Sequence, residues 1–245
     1  MKTAFRIILV LTAFASAAFA VDENAFEKAN KAYAEGRFGE AAANYESLIN
    51  SGKWNANLFY DLGNTWYRVG DFGQAILNYE RAIALEPRHP EADANLRLAR
   101  DEARALEMRR DWVERYAGFA TVMQYTIAAA IALWVALFLV AQSFFAARAS
   151  VGRKTLIVLS LIVCGTSIFG IVTLENGARG EALAIVTGKN VDARLATADD
   201  AKSVLVLPAG SQIKILSERG DWIYAELPND QRGWLPASSA RRVRM

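Results

Sequence analysis

The sequence predicts a multidomain membrane protein in three parts: an α-helical repeat, a hairpin of two apolar helices, and a small all-β unit. Three observations predict it. From Ala117 to Ala147 and again from Thr155 to Leu174 the chain carries no charged side chain, and about 20 such residues cross the hydrocarbon core of a bilayer as a helix. Residues 36–49 (GRFGEAAANYESLI) recur as residues 70–83 (GDFGQAILNYERAI), an offset of 34. Beyond residue 182 the chain turns to short alternating apolar runs broken by Gly, Pro and Asp, the pattern of β-strands and tight turns.

Composition narrows the chemistry. With 28 basic and 26 acidic side chains in 245 residues, and no long basic stripe away from the apolar runs, nothing points to nucleic acid. Cys164 is the only cysteine and lies within the second apolar run. No intrachain disulfide can form, and the residue reads as a small apolar packer. His89 is the only histidine and falls in a turn, where an exposed polar residue is expected. There is no Cys/His metal spacing, no Gly-x-Ser-x-Gly and no phosphate-cradling glycine loop. Acids such as Glu91, Asp93 and Glu102 alternate with Arg97, Arg100 and Arg104 and read as ion pairs along a helix face. The expectation is a protein that is not an enzyme, with no catalytic, cofactor-binding or metal residues and no cofactor.

Residues 1–20 read as a signal peptide. Lys2 and Arg6 supply the positive start, Ile7 to Phe14 the apolar segment, and Ala18-Phe19-Ala20 the small-x-small cleavage site. Cleavage after Ala20 is expected, and retention as an anchor is the alternative.

Residues 21–116 hold the repeat and a capping helix. In the second copy Phe59, Leu62, Gly63 and Trp66 lie on one helix and Ala75, Tyr79 and Ala82 on the next. Small Gly63 and Ala75 let the two helices approach, the aromatics fill the gap between them, and Pro87 stops the second helix. These residues at this period resemble the tetratricopeptide repeat. The first copy, 22–55, is weaker, with Ala29 in place of the packing glycine and Lys28 where the pattern has leucine. After Pro90 a charged helix begins in third-repeat register and contains no Pro or Gly before Gly118. It is expected to run nearly directly into the first apolar run.

The hairpin comprises helices at 119–145 and 155–175 joined by a loop at 146–154. The loop holds Arg148, Arg153 and Lys154 and no acid, which places it in the cytoplasm and everything else outside. The alternative is a buried hairpin of a soluble domain. Residues 176–182 are expected to be a polar linker. The closing unit, 183–245, contains Pro208-Ala209-Gly210, Gly220-Asp221-Trp222 and Arg232-Gly233-Trp234-Leu235-Pro236 in that order, which resembles the bacterial SH3-like barrel. Arg194 is followed by LATADD where that family has a small-Gly-Pro turn, so the shape of this loop does not carry over.

The tetratricopeptide resemblance implies a concave groove lined by the first helix of each repeat. By register the candidates are Phe26, Asn30 and Tyr33, then Asn57, Tyr60, Asn64, Tyr67 and Arg68, with Ala94, Leu98 and Asp101 on the third helix. Aromatics and amides suit an extended peptide; the plainer alternative is that some of them, Tyr67 among them, only pack. Family members that clamp a peptide carboxylate use paired lysines, whereas Phe26 and Asp61 occupy two clamp positions here. In the barrel Trp222, Tyr224 and Trp234 form a candidate aromatic face, with about half of them expected in the core. No eukaryotic-type proline-peptide motif is visible.

The order of parts resembles the BatE family, the tetratricopeptide member of the Bacteroides aerotolerance group. That resemblance implies an envelope scaffold in the inner membrane, its repeat and SH3-like domains on the periplasmic side. The implied partners are von Willebrand factor A-domain membrane proteins and a MoxR-type ATPase, in aerotolerance or envelope stress. The alternative is a cell-wall factor whose barrel binds peptidoglycan and whose repeats recruit a wall enzyme. A cysteine placed at Ser150 is expected to resist an impermeant thiol reagent applied from outside the cell; labelling there would overturn the topology.

Overall fold

The computed structural model describes residues 25–145 and 150–244; the signal peptide and Arg148 lie outside them. The repeat is made of antiparallel helix pairs. Helix α1 covers 25–34 and α2 Phe38–Asn50, α3 (Ala56–Val69) pairs with α4 (Phe72–Leu85), and α5 (Pro90–Ala103) follows. The offset of 34 holds contact by contact. Gly36 and Gly70 turn the two pairs at φ of +75° and +85°, where a side chain is strained. Tyr33 meets Phe38 edge-on with centroids 5.3 Å apart, and Tyr67 meets Phe72 at 5.5 Å. The Tyr45 hydroxyl donates to Asn30 Oδ1 at 2.6 Å, and the Tyr79 hydroxyl to Asn64 Oδ1 at 2.8 Å. A Cβ on Gly63 would lie 2.6 Å from the Tyr79 ring, so α3 and α4 touch as only glycine allows. Ala29, at the same register of the first copy, is buried with its methyl in place.

Helix α4 is buried nearly all round, from Gly73 through Ile76, Leu77 and Asn78 to Glu80 and Ile83. An amphipathic surface helix keeps a polar stripe in water. Here that side is covered by the β unit. Its seven strands are β1 (Leu183–Val186), β2 (Val191–Arg194), β3 (Ser203–Leu207), β4 (Gln212–Arg219), β5 (Trp222–Glu226), β6 (Arg232–Pro236) and β7 (Ala240–Arg242). They form one antiparallel sheet in the order β3-β2-β6-β5-β4-β1-β7. Strand β4 pairs with β1 through its first half and β5 through its second, with a register shift between Ile215 and Ser217. The bend wraps the sheet around Ala184, Val186, Ile213, Ile223 and Leu235. The alternate residues of β1, Leu183 and Ile185, join Val243 in a second core with Ile76, Leu77 and Leu96 of the repeat. Burial on both faces explains why β1 reads LAIV, apolar throughout.

The close approach is visible at two glycines. A Cβ on Gly73 would meet the Thr187 backbone at 3.0 Å. One on Gly210, which has φ +86°, would meet Ile76 Cδ1 at 2.2 Å. A polar node crosses the same interface. Glu80, 2% exposed, pairs with Arg100, itself 6% exposed, and accepts from Gln212 Nε2 at 2.6 Å. Arg100 also reaches Glu107 at 2.9 Å.

The third helix does not continue towards the first apolar run. It ends at Ala103, with Arg104 in the left-handed region at φ +51°. The following residues run along β4 instead: Leu106 N donates to Ser211 Oγ at 3.1 Å, Gln212 N to Leu106 O at 2.8 Å, and Met108 N to Gln212 Oε1 at 3.0 Å. Leu106 packs on the sheet core, so apolar burial and cross-chain hydrogen bonds replace the lost helical turns. A short α6 (Trp112–Ala117) then leads to α7 (Val122–Phe145), which packs antiparallel to α8 (Val151–Asn176). Both are long and apolar enough to cross a membrane.

Small residues meet along the hairpin seam: Ala132 and Ala136 from α7, Ser167 and Gly170 from α8. Gly170 admits the Tyr125 ring, 2.9 Å from where its Cβ would be. Trp134, near the middle of α7, faces away from α8 and is 72% exposed. Residues 176–182 are packed rather than slack: Ala178 is buried and its N–H donates to Glu114 at 3.1 Å.

Because Glu80 is buried, Glu80→Ala leaves Arg100 with Glu107 alone and takes the acceptor from Gln212 Nε2, which should cost about 1–3 kcal/mol. Chemical denaturation followed in detergent should show the repeat and β unit unfolding in one transition that moves as a whole in the variant. Two independent transitions in the unaltered protein would contradict a shared core.

Candidate functional site

The first helices of the repeats bring Tyr33, Asn64, Tyr67 and Arg68 around a cleft of about 160 Å³, completed by Tyr79, Asn95 and Leu98. Four of the groove candidates, with Leu98, therefore line this cleft. The others lie elsewhere. Phe26 packs on Tyr45 at 5.9 Å, Asn30 spends its oxygen on the Tyr45 hydroxyl, and Asn57, Ala94 and Asp101 are exposed away from the cleft. Tyr60 stands against Tyr79 and His89, at 6.2 and 5.0 Å.

Tyr79 and Asn95 are the residues register missed. Tyr79 could have been found from the duplicated spacing, since each copy carries an Asn 15 positions before a Tyr. Asn95 falls at the register of Asp61, one residue from the position assigned to the groove, and had no such signal.

The hydrogen bonds decide what the cleft offers. Asn64 Oδ1 accepts from both Tyr79 and Asn95 Nδ2, the latter at 2.9 Å. Asn95 Nδ2 also donates to the Tyr60 hydroxyl at 3.4 Å. What remains is Asn64 Nδ2 as donor and Asn95 Oδ1 as acceptor, the complement of one peptide unit. Tyr33 and Tyr67 supply apolar faces. Arg68 holds its guanidinium 4.7 Å from the Phe38 ring centroid, a cation–π contact that fixes a positive charge at the cleft edge. The burial of Tyr79 raises its pKa, so it stays a neutral donor.

His89 is not the exposed turn residue expected. It is 8% exposed and caps α5, its Nδ1 accepting from Ala92 N at 3.3 Å. Pro90 opens the helix at once, and Tyr60 covers the ring, so the side chain has little room to reach water.

A second surface lies on the β unit. Trp222, Tyr224 and Trp234 alternate with buried Ile223, Ala225 and Leu235. All three therefore face outward; the expectation that about half fill the core is not met, because the strand period sends every one to the same side. Tyr224 and Trp234 are cross-strand partners with centroids 4.9 Å apart. The Arg194 guanidinium is 6.0 Å from the Trp222 ring centroid. It bonds Ala198 O at 3.1 Å and Asp199 at 2.9 Å, which folds the LATADD loop back on its own strand.

Half-burial raises the Asp61 carboxyl to a pKa of about 6, against a smaller opposing pull from His89. The folded state then holds its proton more tightly than the unfolded chain. This residue's contribution to stability is greatest below the ordinary aspartate pKa and declines as pH rises towards 6. Asp61→Asn should flatten that decline and leave the protein more stable than the parent at pH 7. Denaturant midpoints measured from pH 4 to 7 test it; an unchanged pH profile would refute it.

Residues 56–89, which contain α3, α4 and the turn to His89, match the tetratricopeptide repeat family. No curated protein matches the chain. The match and the geometry agree on a helical repeat of a kind that commonly mediates contacts between proteins.

Proposed function

We propose that the protein is a non-enzymatic scaffold of a bacterial envelope, held in the inner membrane by α7 and α8. The repeat and the β unit, read as an SH3-like domain, then both stand on the periplasmic side. The observation that carries this reading is the cleft in the tetratricopeptide region, where tyrosine faces and one free amide donor–acceptor pair surround space for an extended segment of another protein. The hairpin supports the membrane part. The start of α7 and the end of α8 lie beside the folded body, and the basic segment around Arg153 and Lys154 lies at the opposite end. Pro208-Ala209-Gly210 and Gly220-Asp221 sit in the turns on either side of β4, and RGWLP forms β6, which supports the SH3-like reading.

On the resemblance to the aerotolerance group, the partners are von Willebrand factor A-domain membrane proteins and a MoxR-type ATPase. The half-buried Tyr224–Trp234 pair favours a second reading, since adjacent outward-facing aromatics suit sugar rings: a cell-wall factor that binds peptidoglycan and recruits a wall enzyme. Crosslinking in native membranes followed by affinity capture separates the two. Recovery of A-domain proteins with the ATPase, reduced at least several-fold by Tyr67→Ala with Arg68→Glu, is the expected result. Recovery of wall synthases or hydrolases in their place would sink the aerotolerance reading.

A further inference from the structure

A cavity of about 580 Å³ lies away from the groove of the repeat. It opens where the folded body meets the hairpin, and its walls are of two kinds. Ile83 and Leu85 at the end of α4 face Val122 and Met123 at the start of α7 and Leu174 near the end of α8. Met123 is 73% exposed and Leu85 44%, so an apolar strip leads from the cavity onto the hairpin. The remaining wall carries Arg110, Arg179 and Arg244 against two acids, Glu80 and Glu114.

Both acids are already engaged. Glu80 is held by Arg100 and Gln212, and Glu114 accepts the Ala178 N–H. The arginines are not matched in return. Arg179 Nε lies 4.0 Å from Glu80, the limit of an ion pair. Among the described residues neither Arg110 nor Arg244 forms an ion pair or hydrogen bond. Partial burial, then the neighbouring Arg179, lower the Arg110 pKa, as expected of a guanidinium short of counter-charge.

We propose that this cavity is a binding site for an anionic phospholipid, its phosphate held by Arg110 and Arg179 with Arg244 at the rim, and its acyl chain laid past Met123 and Leu174 along α7 and α8. Arginine is the side chain whose planar fork matches phosphate oxygens, and only an amphiphile uses both walls. A free phosphate would use the arginines alone. The proposal rests on α7 and α8 spanning a membrane, because that reading puts Met123 and Leu174 at the depth where acyl chains begin.

The test uses the full-length protein purified in detergent and exposed to mixed micelles of phosphatidylglycerol or phosphatidylcholine, with retained lipid measured by native mass spectrometry. Phosphatidylglycerol should be retained in preference to phosphatidylcholine. Arg110→Gln combined with Arg179→Gln should weaken its retention roughly ten- to thirty-fold, two surface charges' worth. Arg110→Lys, which keeps the charge but not the fork, should lose less than Arg110→Gln, and Arg219→Gln, an exposed arginine on β4, should leave retention unchanged. If the double variant does not fold, Arg110→Gln alone should still give a larger loss than Arg110→Lys. Equal retention of the two lipids, or equal retention by the double variant and the parent, would overturn the site. So would competition showing that inorganic phosphate binds at the arginines while the lipid does not. Alkaline carbonate extraction of native membranes reads the underlying assumption separately: release of the protein removes the membrane reading, whereas a protein that stays in the membrane but retains lipid without preference removes this proposal alone.

Discussion

The packing of β1 against α4 is the constraint on which the rest of the molecule depends. A tetratricopeptide pair buries one face of each helix against its neighbours and leaves the other to water or to another repeat. With only two pairs and a capping helix, the array has little core of its own. The β unit, about 60 residues, is also small for independent stability. Leu183, Ile185 and Val243 on one side and Ile76 and Leu77 on the other close both deficits at once. At roughly 1.5–3 kcal/mol per large apolar side chain buried, neither partner replaces that contact alone. Glu80, paired with Arg100 inside the repeat, also accepts from Gln212 of β4 and so ties the two parts together at a buried polar point. Arg81 adds a clasp by donating to Arg242 O at 3.1 Å.

One consequence concerns the two candidate surfaces. The cleft at Tyr67 and the aromatic face at Trp222 belong to one continuous body, because α3 packs on α4, α4 on β1, and β1 is hydrogen-bonded to β4. Ligands at the two would be presented at a fixed separation rather than on a loose tether. That suits a scaffold, for which geometry between partners is the product. It also means that the β unit cut free at residue 182 would expose Leu183, Ile185 and Val243, an apolar patch that invites aggregation.

Much of the arrangement was legible in the sequence, and what was missed has physical reasons. The repeat was readable because each contact is local and recurs at 34 residues: Gly36 with Gly70, Tyr45 with Tyr79. The long apolar helices were readable from length and charge alone. The docking of the two ends was not, since contacts between residues more than a hundred positions apart leave no period. Yet a trace existed. Leu77 is buried where the first copy has exposed Ala43, and β1 lacks the alternation of a half-exposed strand. The end of α5 was missed because no Gly or Pro marks it. Arg104 takes the left-handed conformation since tertiary hydrogen bonds to Ser211 and Gln212 outweigh helix propensity. The outward aromatics were misjudged from bulk; strand parity, with Ile223 and Leu235 between them, decides their side.

The same early stop of α5 shapes the boundary with the hairpin. A continuous helix would carry the repeat away from α7 on a rod and leave no enclosed space between them. The chain instead doubles along β4, and α6 packs against α8. Glu114 takes the Ala178 N–H, and Lys214 donates to Asn176 O at the end of α8. Body and hairpin are thus tied at both entry and exit. Between those ties lies the cavity bearing Arg110 and Arg179, an amphipathic space where the folded body meets the apolar ends of α7 and α8.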